Sequence, residues 1–170
     1  MIKAGDTVLI DTNVILEAHR VSCWQNLSRR YRFHTVSTVM EETQTGYQRR
    51  ARPLQIDYFQ LKESMSEIYQ VSAFDLMSCT LSQPEIMGLD PGERDLLIYA
   101  SKAGEDCWLL ASPDKAAMRV AHAIGWLDRM ISLEELLNTV HLRPSLSLAN
   151  NYSEKWHTQT CLNIRMGLLQ

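Results

Sequence analysis

Two short apolar runs constrain the fold more than anything else in this chain. Thr7–Ile10 ends in Val8, Leu9 and Ile10, and "CWLLA" spans Cys107–Ala111. Neither run alternates apolar with polar residues, so each reads as a buried strand. The stretches around them have helical patterning. Residues 13–31 read as one or two helices, His34–Val36 as a short strand, and Thr38–Thr45 as a helix stopped by Gly46. Residues 55–82 read as largely helical, with room for a short strand within Ser66–Ala73. Asp90-Pro91-Gly92-Glu93 is a helix start: an acid at the N-cap, proline at the first helical position, and glutamate three residues after the cap. Leu96, Leu97, Ala100 and Ala103 continue that helix, and Gly104 ends it. Ser112-Pro113 opens another, running through Ile124 with Gly125 as its stop. Trp126–Ile131 reads as a further strand and Leu133–Leu137 as a helix.

Strands alternating with helices point to an α/β chain, a three-layer α/β/α sandwich around a central, mainly parallel sheet. At 170 residues the length suits one domain with an appendage. The division expected is 1–140 for the main domain and 141–170 for a linker and a C-terminal extension. Within that extension, residues 141–152 read as linker and 153–170 as a helix with Trp156, Ile164 and Leu168 on one side. The chain is 45% hydrophobic and 22% charged, enough apolar material for a core. No apolar run approaches the roughly 20 residues of a membrane span, and the N-terminus lacks a signal-peptide pattern. Cys23, Cys79, Cys107 and Cys161 form no CxxC pair, so reduced thiols in the cytoplasm are expected.

Net charge is −3, but it is unevenly spread. Residues 20–52 hold seven arginines against Glu41 and Glu42, a segment of +5, leaving −8 for the remainder. Such a segment is either a solvated basic face or a phosphate-binding rim.

Carboxylates recur near element ends. Asp11 follows the first strand, Glu42 lies in the helix after the second, Asp95 lies one turn into the helix from Asp90, and Asp114 is in the first turn after "CWLLA". Singly, each has a plain explanation as a cap, a helix-dipole partner or a solvated side chain. Together they fall along one edge of a parallel sheet, where open α/β sheets bind ligands. Converging carboxylates repel, so a cation is expected among them, and hard oxygen ligands favour Mg²⁺ or Mn²⁺.

In order and spacing the pattern resembles a PIN domain, the nuclease fold of VapC-type toxins and many RNA-processing enzymes. "LIDTNVIL", "VSTVMEETQTG", "LDPGERDLLIYA" and "LLASPDKAAMRVAHAIG" resemble its four motifs in turn, over about residues 6–137. The resemblance implies a metal-dependent endoribonuclease with Asp11, Glu42, Asp95 and Asp114 as catalytic acids and metal ligands. Asn13 and Ser112 would support them, and Glu93 matches the extra acid of a subgroup. Glu41 is also acidic, but Val39 and Gly46 set the spacing better around Glu42. Pro113 departs from the family pattern, as does the chain beyond about residue 140. The implied products carry a 5′-phosphate and a 3′-hydroxyl, with metal-activated water as nucleophile. Arg49, Arg50 and Arg52, with Lys115 and Arg119, would then track the RNA backbone. VapC-type toxins pair with an antitoxin, and PIN-type chains often form homodimers, so either partner is expected. A haloacid-dehalogenase-type phosphatase needs a second aspartate where this chain has Asn13. The alternative is a PIN fold that is catalytically silent and works as a scaffold or RNA-binding module through a protein partner.

Overall fold

A computed structural model of the chain describes residues 2–45, 54–103 and 108–169. Five strands form one sheet in the order β3-β2-β1-β4-β5, and every pairing is parallel. They are β1 (Thr7–Ile10), β2 (Arg32–Val36), β3 (Glu67–Tyr69), β4 (Trp108–Ala111) and β5 (Met130–Ile131). The helices are α1 (Thr12–Arg20), α2 (Trp24–Ser28), α3 (Ser37–Gln44), α4 (Tyr58–Ser64), α5 (Ala73–Ser82), α6 (Pro91–Ala103), α7 (Lys115–Ala123), α8 (Leu133–Thr139) and α9 (Glu154–Arg165). The result is the three-layer α/β/α sandwich expected from the alternation, with a C-terminal helical extension. No described helix is long and apolar enough to cross a membrane.

The central strand is the one read most directly from the chain. β1 pairs with β2 on one side and β4 on the other, with Leu9 opposite His34 and Leu110. Val8, Leu9 and Ile10 are buried because helices cover both faces of the sheet. Phe33 of β2 is wholly buried and stacks on Trp24 of α2, whose indole N–H donates to Ser64 Oγ at 3.1 Å. This ties the end of α4 to α2.

Elsewhere the structure narrows some sequence readings and corrects others. The 13–31 segment is two helices because the chain turns at Ser22, which takes φ 59°. The hidden strand within 66–73 is β3, paired with β2 and opening to α5. Helix α7 does not start at Ser112-Pro113. It starts at Lys115, because the Asp114 side chain caps it by accepting from the amides of Ala116 and Ala117. The strand expected over Trp126–Ile131 shrinks to Met130–Ile131, since Leu127–Arg129 form a 3₁₀ turn. Leu168 lies past the end of α9 and is 65% exposed, whereas Ile164 is buried and Trp156 half-buried. Gly46, Gly104 and Cys107 lie outside the described residues.

Residues 141–152 form a strap over the C-terminal half of α1. Ser145 donates to the Val21 carbonyl through both its amide and its hydroxyl, and Arg20 donates to the Ser147 carbonyl at 2.7 Å. The buried Glu17 carboxylate accepts from Arg20 and from the Ala149 amide at 2.7 Å. Burial opposes the charge on Glu17, but these donors hold its carboxyl below the usual range. Beyond the strap, α9 packs on α7 and α8.

Candidate functional site

Sheet order places a topological switch point between β1 and β4, where ligands of open α/β sheets sit beyond the carboxyl ends of the strands. The Asp11 amide donates to the Ala111 carbonyl at 3.2 Å, which ties the two strand ends together. Asp11, Ser112 and Asp114 therefore enter the same edge from adjacent strands.

Asp11 is 2% exposed and caps α1, its carboxylate accepting from the Asn13 amide. Burial drives its carboxyl up to about 7. Hydrogen bonds from Asn13 and Thr12 pull the other way, and the charge of Glu42 adds to the rise. The cap reading of Asp11 is realised, and so is its place at the edge.

Glu42 reaches across from α3. It accepts from the Thr12 hydroxyl at 2.6 Å and from the Gly92 amide at 3.1 Å, so one carboxylate joins α1, α3 and the first turn of α6. Its neighbour Glu41 is exposed, as successive helical residues point about 100° apart. Gly92 leaves room for this bridge. A Cβ there would lie 2.5 Å from Glu42 Oε2, inside van der Waals contact.

Asp95 is buried on α6 and accepts the Thr38 hydroxyl at 2.5 Å. Its other oxygen is held by Arg94, whose Nε and Nη2 both lie 2.9 Å away. Asp114 spends its carboxylate on two amides of α7, and its own amide donates to Ser112 Oγ at 3.3 Å. Glu93, half-buried on α6, is strongly perturbed, as Asp11 is. Burial first, then the charges of Asp114, Asp11, Asp90 and Glu42, push its carboxyl up to about 8. Glu93 thus registers electrostatically that the edge is a shared acidic field.

Asp11, Glu42 and Asp114 all bear on Glu93, but not as a metal centre. Among the described residues, no three side chains of His, Cys, Asp or Glu are grouped to hold one metal ion. Magnesium or manganese as cofactor, and with it the metal-dependent endoribonuclease and hydrolase reading, is corrected on this ground. The physical reason is visible in the hydrogen bonds. Glu42, Asp95 and Asp114 each accept hydrogen bonds from separate donors of their own chain, where a metal site needs several oxygens aimed at one point.

The residues that do this were not picked out from the sequence. Thr12, Thr38, Gly92 and Arg94 satisfy the carboxylates. The sequence signals for them are Arg94 beside Asp95 and Thr12 beside Asp11. Tyr152 was missed as well. It lies with Asn151 and His157 against Val14, Ser112 and Pro113 around a cavity of about 10 Å³, close to the space of one water. Burial and the charges of Glu17 and Asp11 push the Tyr152 hydroxyl up to about 12. The strap therefore comes within the field of the acidic edge.

Of the cations assigned to RNA, Arg49, Arg50 and Arg52 lie outside the described residues. Lys115 is exposed on α7 with its ammonium 5.9 Å from the Trp156 ring centre, and Arg119 is half-buried one turn on. Compared with models of known protein families, with curated proteins and with solved structures, the chain matches none.

Proposed function

We propose that this chain is a catalytically silent PIN-like module whose acidic sheet edge receives a cationic side chain, arginine or lysine, from a protein partner. The observation that carries the reading is Glu93. Its half-buried carboxyl is held at about 8 by burial and four neighbouring acids, a repulsion that an incoming guanidinium or ammonium would relieve. Arg94 serves Asp95 in this way within the chain; Asp11 and Glu93 are perturbed upward instead. The order of the four motifs along an α/β sandwich supports the PIN-like assignment. Without a metal to bridge it, the same edge repels phosphate, which favours a protein over RNA as its occupant.

The test is binding of a short arginine-bearing peptide against the same peptide with glutamine in place of arginine. The arginine peptide binds, and Glu93→Gln weakens it about tenfold, the loss of one charge-assisted contact worth about 1.4 kcal/mol. Metal-dependent cleavage of a generic RNA, abolished in Asp11→Asn, would overturn the proposal.

A further inference from the structure

One face of the sheet holds a cavity apart from the acidic edge, beneath the last turns of α6. Its volume is about 340 Å³, within the range of small-molecule sites. On the sheet side it is lined by Thr7 and Leu9 of β1, His34 of β2, Tyr69 of β3 and Trp108 of β4. Strand register puts these side chains on one face. Thr7 lies opposite Trp108, Leu9 opposite His34, and Val36, two residues on from His34, opposite Tyr69. Tyr99, Lys102 and Ala103 of α6 complete the walls.

His34 is the polar exception in its row of the sheet, where Leu9 and Leu110 are apolar and buried. One of its nitrogens is accounted for. The Tyr99 hydroxyl lies 2.8 Å from Nδ1, and the rings of His34, Tyr99 and Tyr69 stack in series. Burial lowers the imidazole pKa, against the charge of Glu67 and with that of Arg32, so the ring is neutral at neutral pH. With the phenol hydroxyl donating to Nδ1, Nε2 carries the hydrogen. Nε2 has no hydrogen-bond partner among the described residues, and it is not shut away from solvent. His34 therefore offers an N–H donor at a cavity whose other walls are largely aromatic. The Tyr69 hydroxyl is tied to Asp75 at 2.9 Å, so both tyrosine rings are held in place before anything binds.

The charges around the cavity are already engaged. Lys102 is paired with Asp75, and its ammonium lies over the Tyr69 ring. Arg129 lies over the Trp108 ring at 4.5 Å. Glu67 and Arg32 act on His34 with opposite sign. Lys102 is the one cation among the described lining residues, and it is not available to a phosphate or carboxylate. Walls of four rings suit a flat π surface, and a single N–H suits a single acceptor on its edge.

We propose that this cavity binds a small, neutral, planar heteroaromatic molecule whose edge carries a hydrogen-bond acceptor for His34 Nε2. The site lies over the face of the sheet, and it does not depend on the acidic-edge reading.

The experiment uses the full chain and three probes: benzimidazole, indole and caprolactam. Benzimidazole has the ring and the acceptor, indole the ring without the acceptor nitrogen, and caprolactam an acceptor without the aromatic ring. Binding is followed at mildly alkaline pH by NMR, from the ring signals of Tyr69 and Tyr99. Benzimidazole shifts both at millimolar concentration. Indole binds about fivefold more weakly, the loss of one neutral hydrogen bond, and caprolactam does not bind. His34→Phe keeps a ring against Tyr99 and removes the donor, so benzimidazole falls to the level of indole. Ala103→Leu fills the cavity and abolishes binding of both, with the parent melting temperature kept or raised. Thermal melts verify that each variant is folded, and Ala103→Leu carries the test if His34→Phe does not fold. Equal affinity for benzimidazole and indole, caprolactam binding as tight as benzimidazole, unchanged binding in folded Ala103→Leu, or no binding of any probe would overturn the assignment. Loss of arginine-peptide binding in Glu93→Gln reports only on the acidic edge, so the two proposals fail separately.

Discussion

Replacing Glu93 with glutamine should make the protein more stable, and the gain should depend on pH in a defined way. The carboxyl of Glu93 moves from an ordinary 4.5 to about 8 in the folded chain. Below pH 4.5 both folded and unfolded states hold the proton, and the two proteins differ little. Between pH 4.5 and 8 the unfolded state loses its proton while the folded state keeps it. The native chain therefore loses stability, at up to about 1.4 kcal/mol per pH unit. Above pH 8 both states are ionised and the difference levels off. The full shift corresponds to a ceiling of about 5 kcal/mol. Glu93 is only half-buried, and solvent screening brings the expected gain to about 2 kcal/mol. For a chain of this size that is a rise in melting temperature of roughly 4–8 °C at pH 8. Thermal and urea unfolding of both proteins from pH 4 to pH 9 measures it. A Glu93→Gln protein that is less stable, or whose advantage is the same at every pH, would refute the reasoning, because either result removes the repulsive field from the account.

Three further outcomes follow from the same contacts. Thr12→Val removes the 2.6 Å bond to Glu42 and should cost about 1–2 kcal/mol in urea unfolding. Gly92→Ala forces the Glu42 carboxylate away, so the helix-propensity gain of about 1 kcal/mol is cancelled; combined with Thr12→Val its cost should be less than additive, since both break one bridge. Glu17→Ala should release the strap, seen as at least tenfold faster hydrogen exchange at the Ala149 amide with the exchange of β1 amides much less affected.

The sheet was legible where burial alone decides structure. Val8–Ile10 and Trp108–Ala111 carry no competing signal, and the two strands end where the apolar runs end, at Ile10 and Ala111. Trp126–Ile131 was misread because Leu127 and Met130 are as apolar as strand residues, while the backbone of Leu127–Arg129 turns within itself. The start of α7 was misplaced because proline at 113 resembles a first helical residue, yet the two amides that need a partner find the Asp114 carboxylate. Of the expected acids, Asp11, Glu42 and Asp114 act on Glu93 in the folded chain, while Asp95 is held by Thr38 and Arg94. Spacing along a sequence suggests which acids come to one edge. It does not say which way a carboxylate turns once there. Thr12, Thr38 and the Gly92 amide decide that, through short contacts made only after α1, α3 and α6 have packed.

The most direct test of the acidic edge is an NMR titration of the Asp11 and Glu93 side-chain carboxyls, alone, with millimolar Mg²⁺, and with an arginine-bearing peptide. The account predicts midpoints near 7 and 8, unmoved by Mg²⁺ and lowered by the peptide. Midpoints drawn into the ordinary carboxylate range by Mg²⁺, with no response to the peptide, would contradict it.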